Sequence, residues 1–238
     1  MELILCSACK KGDVEEVQQL LTNNSQININ AEDNLKQTPL YIACREGYIQ
    51  IVRLLLNVEG IDLNHSNNYG ESAFWIACLK GHINIVKLLL NHERVDINQA
   101  SRSGITAFYL ACFNRNLEIV KLLLNNKTID VNKADIGYNR TPLHNACHEG
   151  EIQLVEYILA SGRDVNLGIK NRGGKTAIDI ARETGSKGGG KEYWESKEEY
   201  QNKRRNCKKI VELLESFERN PNETRFKLRI QLEYAGNI

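Results

Sequence analysis

Seven cysteines are the residues of this 238-residue sequence with the widest choice of chemistry. Cys6 and Cys9 form a C-x-x-C pair, a spacing used in dithiol exchange and in half of a tetrahedral zinc site. No second pair of thiols or imidazoles follows nearby to complete such a site. Cys9 also belongs to a regular series of Ala-Cys dipeptides, which favours burial as a small apolar side chain. We therefore predict no metal site, and we expect Cys207, which lies outside the series, to be exposed.

A glycine-rich stretch, Gly185–Lys191, is a second candidate because it fits the G-x-x-x-x-G-K pattern of a phosphate-binding loop. Glu192 follows where that loop needs Ser or Thr, and no buried strand precedes it, so we predict a flexible insertion. His82 and His144 have no Asp or nucleophilic Ser at a spacing that specifies a catalytic triad. The sequence thus predicts no catalytic residue, no cofactor and no enzymatic activity. The alternative is an effector or enzyme fragment whose activity resides in the C-terminal tail or in a missing region.

Charge and composition restrict the partners. Lys and Arg number 31 against 30 Asp and Glu, so no overall field attracts nucleic acid or an anionic membrane. No window approaches the ~18 apolar residues of a membrane span, and the N-terminal residues do not resemble a secretory signal. We expect a cytoplasmic monomer with reduced thiols. Nuclear import stays open because of the basic cluster Lys203–Lys209, for which a solvated helix face is the favoured interpretation.

The cysteines mark an internal repeat. The Ala-Cys dipeptides recur every 34 or 35 residues, at Ala8-Cys9, Ala43-Cys44, Ala77-Cys78, Ala111-Cys112 and Ala146-Cys147. Ala181-Arg182 follows as a sixth, degenerate copy. A fixed period of this length is typical of stacked supersecondary units that share one continuous core.

Each copy predicts two short helices. A hydroxyl residue five positions before the Ala is expected to be the N-cap of the first helix, and a Gly four positions after it the left-handed end. An apolar run interrupted by one charge, such as Ile85–Leu90, predicts a buried second helix. The expected caps are Thr38, Ser72, Thr106, Thr141 and Thr176, and the expected end glycines are Gly12, Gly47, Gly81, Gly150 and Gly185. Arg115 replaces the Gly of the fourth copy, which predicts strain of roughly 1–2 kcal/mol or a reshaped turn.

Between copies, an alternating segment with Asn at a fixed phase, such as Val95–Asn98, predicts an extended arm and a tight turn. The stretches Thr38–Tyr48 (TPLYIACREGY) and Thr141–Glu151 (TPLHNACHEGE) resemble the ankyrin repeat, whose pattern is T-P-L-H-x-A. The resemblance implies an all-α repeat solenoid of stacked helix-turn-helix units with projecting β-hairpin loops. It also implies an adaptor or scaffold that binds a partner protein in a concave groove of hairpin tips and first helices.

The array is expected to cover residues 1–217. Its units are roughly 1–30, 31–64, 65–98, 99–132, 133–166 and 167–217, with an insertion at about 186–206. Residues 191–209 are charged and free of Gly, so they are expected to extend the last helix. In the tail, 218–238, alternate apolar residues predict a strand, whereas Glu223 and Lys227 fit a helical i,i+4 pair. The tail could cap the array, begin a further region or pair with a partner.

The candidate site consists of residues expected to line the groove that the resemblance implies. Its predicted partner-binding residues are Leu35, Arg45, Tyr69, Leu79, Lys80, Arg102, Ile105, Phe113, Tyr138, Arg140 and His148. Aromatic side chains flanked by Arg are typical of interface hot spots. Trp75 and Tyr109, at the position of His144, are expected to be half-buried at the groove floor. Basic residues outnumber acidic ones on this face, so an acidic protein segment is the expected partner, and nucleic acid is not.

Overall fold

The computed structural model describes residues 3–23, 27–186 and 196–234. The chain divides into two compact units, Met1–Ala111 and Cys112–Ile238. The first contains α1 (Ile4–Lys11), α2 (Val14–Asn23), α3 (Pro39–Glu46), α4 (Ile49–Leu56), α5 (Ala73–Lys80) and α6 (Ile83–Leu90), and α7 (Ala107–Phe113) begins at its end. The second contains α8 (Leu117–Asn125), α9 (Pro142–Glu149), α10 (Ile152–Ala160), α11 (Ala177–Gly185), α12 (Lys197–Arg219) and α13 (Pro221–Tyr234).

From the second repeat to the sixth, the first helix begins at its predicted hydroxyl cap, whereas α1 begins after Leu3 without a side-chain cap. Thr38 Oγ1 accepts a hydrogen bond from the backbone N–H of Tyr41 at 3.3 Å. The same cap is present at Ser72, Thr106, Thr141 and Thr176. These side chains satisfy one of the backbone donors that every helix start leaves unpaired, which fixes the start at that residue.

The helix ends follow the prediction with one exception. Gly12, Gly47, Gly81 and Gly150 have left-handed backbone conformations with φ between 70° and 82°. Arg115 keeps the same conformation at φ 57°, so the fourth copy has the predicted strained turn. The prediction was wrong for Gly185, which is the last helical residue of α11 and is followed by extended Ser186. A Cβ on Gly185 would lie 3.5 Å from the Cys207 Cβ, an ordinary van der Waals distance, so α12 packs beside this residue without requiring glycine there.

In the first unit, the second helices supply the apolar core. Ile51, Val52 and Leu55 of α4 are fully buried, and α6 repeats the pattern with Ile85, Val86 and Leu89. The connecting arms are turns whose pairing is reduced to isolated bridges, Ser66 with Ser72 and Ala100 with Thr106; no strand forms among the described residues. The predicted hairpin loops are therefore present only as tight turns.

The asparagines at fixed phase join one repeat to the next. Asn64 Nδ2 donates to the Arg94 carbonyl at 2.7 Å, and Asn64 Oδ1 accepts from the Asp96 backbone N–H at 2.7 Å. Asn30 and Asn132 make the same pair of bonds within their own units. Each asparagine thus satisfies both a donor and an acceptor of the following arm, which fixes the register between neighbouring repeats.

In the second unit, α12 packs on α9, α10 and α11. The predicted extension of the last helix is confirmed over 197–209, and residues 187–195 lie outside the description. Cys207, which was expected to be exposed, is fully buried, and its thiol lies 3.3 Å from the Cys147 carbonyl. The expectation failed because exposure at this position depends on a contact between residues sixty positions apart.

The tail forms a helix, so the strand prediction was wrong for the described residues. Thr224, Leu228 and Leu232 are buried at i, i+4 and i+8, whereas Phe226 and Ile230 are exposed. The apolar alternation therefore belongs to two faces of one helix. α13 packs on α10 and α12, and Arg229 Nε donates to the Ala160 carbonyl at the end of α10 at 2.9 Å. The described part of the tail thus packs onto the second unit.

No described helix has the length and apolar character that crossing a lipid bilayer requires.

Candidate functional site

In the first unit, a side-chain acceptor at the start of each turn sets the conformation of its tip. Asp33 Oδ1 accepts from the backbone N–H groups of Leu35 and Gln37, both at 2.8 Å. Asn67 Oδ1 does the same for Tyr69 at 2.8 Å. Such bonds replace backbone pairing in tight turns. They hold the tips in a defined shape that leaves the Leu35 and Tyr69 side chains exposed.

Neighbouring tips of the first unit are also joined by backbone bonds. The Asn68 N–H donates to the Leu35 carbonyl at 3.0 Å, and the Arg102 N–H donates to the Tyr69 carbonyl at 2.9 Å. A Cβ on Gly70 would lie 2.7 Å from the Arg102 nitrogen. The close approach of successive tips therefore requires glycine at this position, and it lines up the predicted residues Leu35, Tyr69 and Arg102.

Beneath these tips, polar side chains are fully paired. Tyr41 donates its hydroxyl proton to Glu71 Oε2 at 2.9 Å, and Asn67 Nδ2 donates to the same oxygen at 2.8 Å. Burial, followed by the neighbouring Glu71 carboxylate, raises the pKa of Tyr41. Trp75 Nε1 donates to the Ile105 carbonyl at 2.8 Å. Trp75 and Tyr109 are buried rather than half-buried as expected, and the Trp75 ring reaches from its helix to the next turn.

The predicted residues of the first unit differ in availability. Leu35, Tyr69, Lys80 and Arg102 are exposed, whereas Leu79, Ile105 and Arg45 are partly buried. Arg45 already pairs with Glu46 at 2.7 Å and with Gln37 Oε1 at 2.7 Å. Within the described part of the chain, no carboxylate pairs with Lys80 or Arg102. At the predicted site of the first unit, Lys80 and Arg102 are therefore the cations whose charge no described carboxylate compensates.

In the second unit, four predicted residues come together. Phe113, Arg140 and His148 line one cleft of about 100 Å³. The Arg140 guanidinium lies over the Tyr138 ring, 5.2 Å from its centroid. The Phe113 and Tyr138 side chains are 61% and 66% exposed. An aromatic pair beside a stacked Arg is a combination that recurs at protein interfaces.

The sequence analysis missed two residues of this region. Ile136 is 61% exposed in the same turn as Tyr138, and its carbonyl accepts from Arg172 Nη2 at 2.8 Å. Asn145 lines the cleft and is 8% exposed. The signal for Ile136 was an apolar residue at a turn tip directly after the turn acceptor Asp135. The signal for Asn145 was a polar residue at a position that is apolar in four other repeats.

Ion pairs surround the cleft. Glu149 contacts His148 Nδ1 at 2.6 Å, Lys203 Nζ at 3.3 Å and Arg115 at 3.3 Å. The hydrogen bond from His148, followed by the charge of Lys203, lowers the pKa of Glu149 to about 2. Arg115 Nε also pairs with Glu151 at 2.9 Å. His148 is thus already engaged, and both carboxylates of the cleft wall are neutralised by cations.

The remaining sequence candidates lie elsewhere. Cys6 and Cys9 are buried, and burial raises their pKa values to about 11 and about 12. His144 is buried and forms a capping box with Thr141, while its Nε2 donates to the Lys175 carbonyl at 3.2 Å. Most of the phosphate-loop match lies outside the described residues. Among the residues that are described, no cluster of His, Cys, Asp or Glu could hold a metal ion.

Solved structures share this fold. The ankyrin repeat protein EF0377 is 24% identical, with 87% of this chain and 98% of that chain covered and a TM-score of 0.72. The ankyrin repeat domain of Bcl-3 is 23% identical over 87% and 85% of the chains, with a TM-score of 0.69. A chain from the complex of the predatory endopeptidase Bd0816 of Bdellovibrio bacteriovorus with the immunity protein Bd3460 is 26% identical over 87% and 97%, with a TM-score of 0.66. No curated protein matches significantly.

Family models of ankyrin repeats match most of the sequence. The three-copy model matches residues 2–67 and 47–135, and the many-copy model matches residues 130–181. The fold class is accordingly the all-α ankyrin repeat solenoid that the sequence predicts. Ankyrin repeats generally mediate protein–protein interaction. This chain belongs to the ankyrin repeat family.

Proposed function

We propose that this protein is a non-catalytic adaptor or scaffold that binds a partner protein on the turn tips and first-helix ends of its repeats. The observation that carries the proposal is the exposure of large apolar side chains at these places. Leu35 and Tyr69 are exposed in the first unit, and Phe113, Ile136 and Tyr138 in the second. The repeat cores do not need these side chains, and exposed aromatic groups in rigid turns are typical binding anchors.

The charges at the same positions favour a partner segment that carries acidic residues. Lys80 and Arg102 are exposed and pair with no carboxylate among the described residues. Arg140 is held over the Tyr138 ring rather than in an ion pair. An acidic segment would compensate these cations without first breaking an existing pair. By contrast, Arg45 and His148 would have to exchange their present partners.

The comparisons support a binding role in one further respect. One of the similar structures is a complex of an endopeptidase with an immunity protein. A chain of similar fold is therefore found there in an assembly with another protein. We infer a comparable kind of role for this chain, with a partner that its own exposed residues select.

The test is capture of a partner from the native cell by the full chain and by variants of it, followed by quantitative mass spectrometry. Replacing both Phe113 and Tyr138 by Ala should reduce specific capture by at least roughly 30-fold, because the loss of even one hot-spot anchor costs about 2 kcal/mol. Phe226→Ala is the matched control, since Phe226 is 66% exposed on α13, away from the turns. Circular dichroism would verify that every variant is folded. Equal capture by the double variant and the control would overturn the proposal.

A further inference from the structure

One position separates the fifth repeat from the second, third, fourth and sixth; the first has the exposed Ser7 there. The residue before the repeat Ala is buried and apolar in four copies, namely Ile42, Ile76, Leu110 and Ile180. In the fifth copy it is Asn145, which is 8% exposed. Its Nδ2 is shielded from solvent and has no hydrogen-bond partner among the described residues. A buried amide without a partner destabilises a fold, so an apolar residue would suit the repeat better.

A second donor in the same cleft has no partner. Arg140 Nε is also buried without an acceptor in the described part of the chain. Arg140 and Asn145 both line the cleft of about 100 Å³ that Phe113 and His148 complete. The two unpaired groups are both donors, and one of them belongs to a cation. A single hydrogen-bond acceptor could satisfy both donors, and the positive charge of Arg140 favours an anionic acceptor.

The acceptor does not come from the cleft itself. Glu149 and Glu151 also line it, but Glu149 is bound by His148 and Lys203, and Glu151 by Arg115. No carboxylate pairs with Arg140 among the described residues. Phe113 forms the exposed wall, and exposed side chains change rotamer on a fast time scale. Because both donors are shielded from solvent, an incoming side chain reaches them only if this ring rotates aside.

We propose that this cleft receives an aspartate or glutamate side chain of the partner protein, whose carboxylate accepts from Asn145 Nδ2 and Arg140 Nε. The proposal rests on the proposed function and names the chemistry by which one part of its surface selects a partner. The cleft has room for a single side chain, so it recognises one acidic residue within a longer segment. Phe113 and Tyr138 would contact apolar neighbours of that residue.

The test begins with selection of peptides from a random display library on the full chain. Selected peptides should share one acidic residue with apolar neighbours. Replacing that residue by Ala should weaken binding about 10- to 100-fold, as expected for a charge-assisted hydrogen bond. Asn145→Leu, which introduces the apolar residue type of the second, third, fourth and sixth repeats, should weaken the same peptide similarly and yet raise the midpoint of thermal unfolding. The two changes combined should cost little more than either alone.

The outcomes separate this inference from the proposed function. If binding depends on Phe113 and Tyr138 but Asn145→Leu binds with wild-type affinity, the inference is wrong and the binding surface stands. If the peptides bind independently of all three residues, both are wrong. If no acidic residue is shared among the selected peptides, the inference is also wrong. A stabilised Asn145→Leu protein that has lost the peptide cannot be explained by misfolding, and it would establish the carboxylate site.

Discussion

The third repeat in the first unit and the fifth repeat in the second are built on the same backbone but treat buried polar groups differently. At the turn of the third repeat, the buried Asn67 and the half-buried Glu71 bond to each other and to Tyr41 of the second repeat, and the position before the repeat Ala is Ile76. In the fifth repeat, Asn145 and Arg140 Nε lie buried without an acceptor. The comparison teaches that the repeat pattern does not require a polar group at this position. Gln99 Oε1 of the first unit is also buried without a partner in the described part of the chain, so what sets Asn145 apart is that it lines a cleft.

The largest expected effect comes from moving that polar group into the first unit. Ile76→Asn should lower the free energy of unfolding by about 3 kcal/mol, because it leaves both a cavity and an unpaired amide in a filled core. Urea denaturation measures the loss, with Ile76→Leu as the volume-conserving control. A loss below about 1 kcal/mol would show that the third repeat tolerates an unpaired amide as well, and the contrast with Asn145 would disappear.

The second difference between the two units involves a titratable side chain, His144. Tyr41 and Trp75 reach the next turn in the first unit, whereas His144 does so in the second. The backbone N–H of Thr141 donates to His144 Nδ1 at 3.1 Å, so the imidazole is held neutral with its proton on Nε2. Burial, the largest cause, lowers the pKa of His144 below its usual value of 6.5. Between the two pKa values, the imidazole is therefore protonated in the unfolded chain and neutral in the folded chain.

Stability from His144 should therefore be present above pH 6.5 and decline as the pH falls below it. His144→Tyr, which introduces the residue type of the second and fourth repeats, should flatten this part of the pH dependence. Urea denaturation between pH 5 and pH 7.5 measures it, and Tyr41→Phe is a control that should change stability without changing its slope with pH. An unchanged slope in His144→Tyr would mean that the ring titrates equally in both states.

The smallest effect concerns two strained residues. Lys36 in the first unit and Arg115 in the second both have left-handed backbone conformations, with φ 58° and 57°. Lys36→Gly should gain about 1 kcal/mol by relief of strain. Arg115→Gly should gain less, because it also removes the exposed ion pairs with Glu149 and Glu151. Chemical denaturation of both variants gives the difference, and an equal gain would show that those ion pairs contribute nothing to stability.

Features fixed by neighbouring residues were predictable from the sequence. The hydroxyl caps, the left-handed glycines and the strain at Arg115 each depend on the chain within one turn. The errors arose where a distant element decides the outcome. Gly185 is helical at the place where α12 packs beside it, and Cys207 is buried against Cys147. The tail was ambiguous because Thr224, Leu228 and Leu232 are spaced by four residues. That spacing fits one face of a helix, and it also fits the alternation of a strand.

The exposed aromatic residues of the candidate site could be predicted from the sequence. Tyr69, Phe113 and Tyr138 are exposed as the repeat register implies. The buried part could not, because hydrogen-bond satisfaction depends on atoms from several elements at once. The sequence does show that Asn145 breaks the pattern of its column, but only the surrounding geometry reveals that its amide lacks a partner.

The buried thiols also provide a way to measure local unfolding of the repeats. Each repeat from the first to the fifth carries a cysteine whose pKa is raised by burial: Cys9, Cys44, Cys78, Cys112 and Cys147. A thiol in this state reacts with an alkylating reagent only after its surroundings open and allow it to ionise. When reclosing is faster than labelling, the labelling rate of each cysteine therefore reports the population of forms that are locally open around it, with no probe added to the chain.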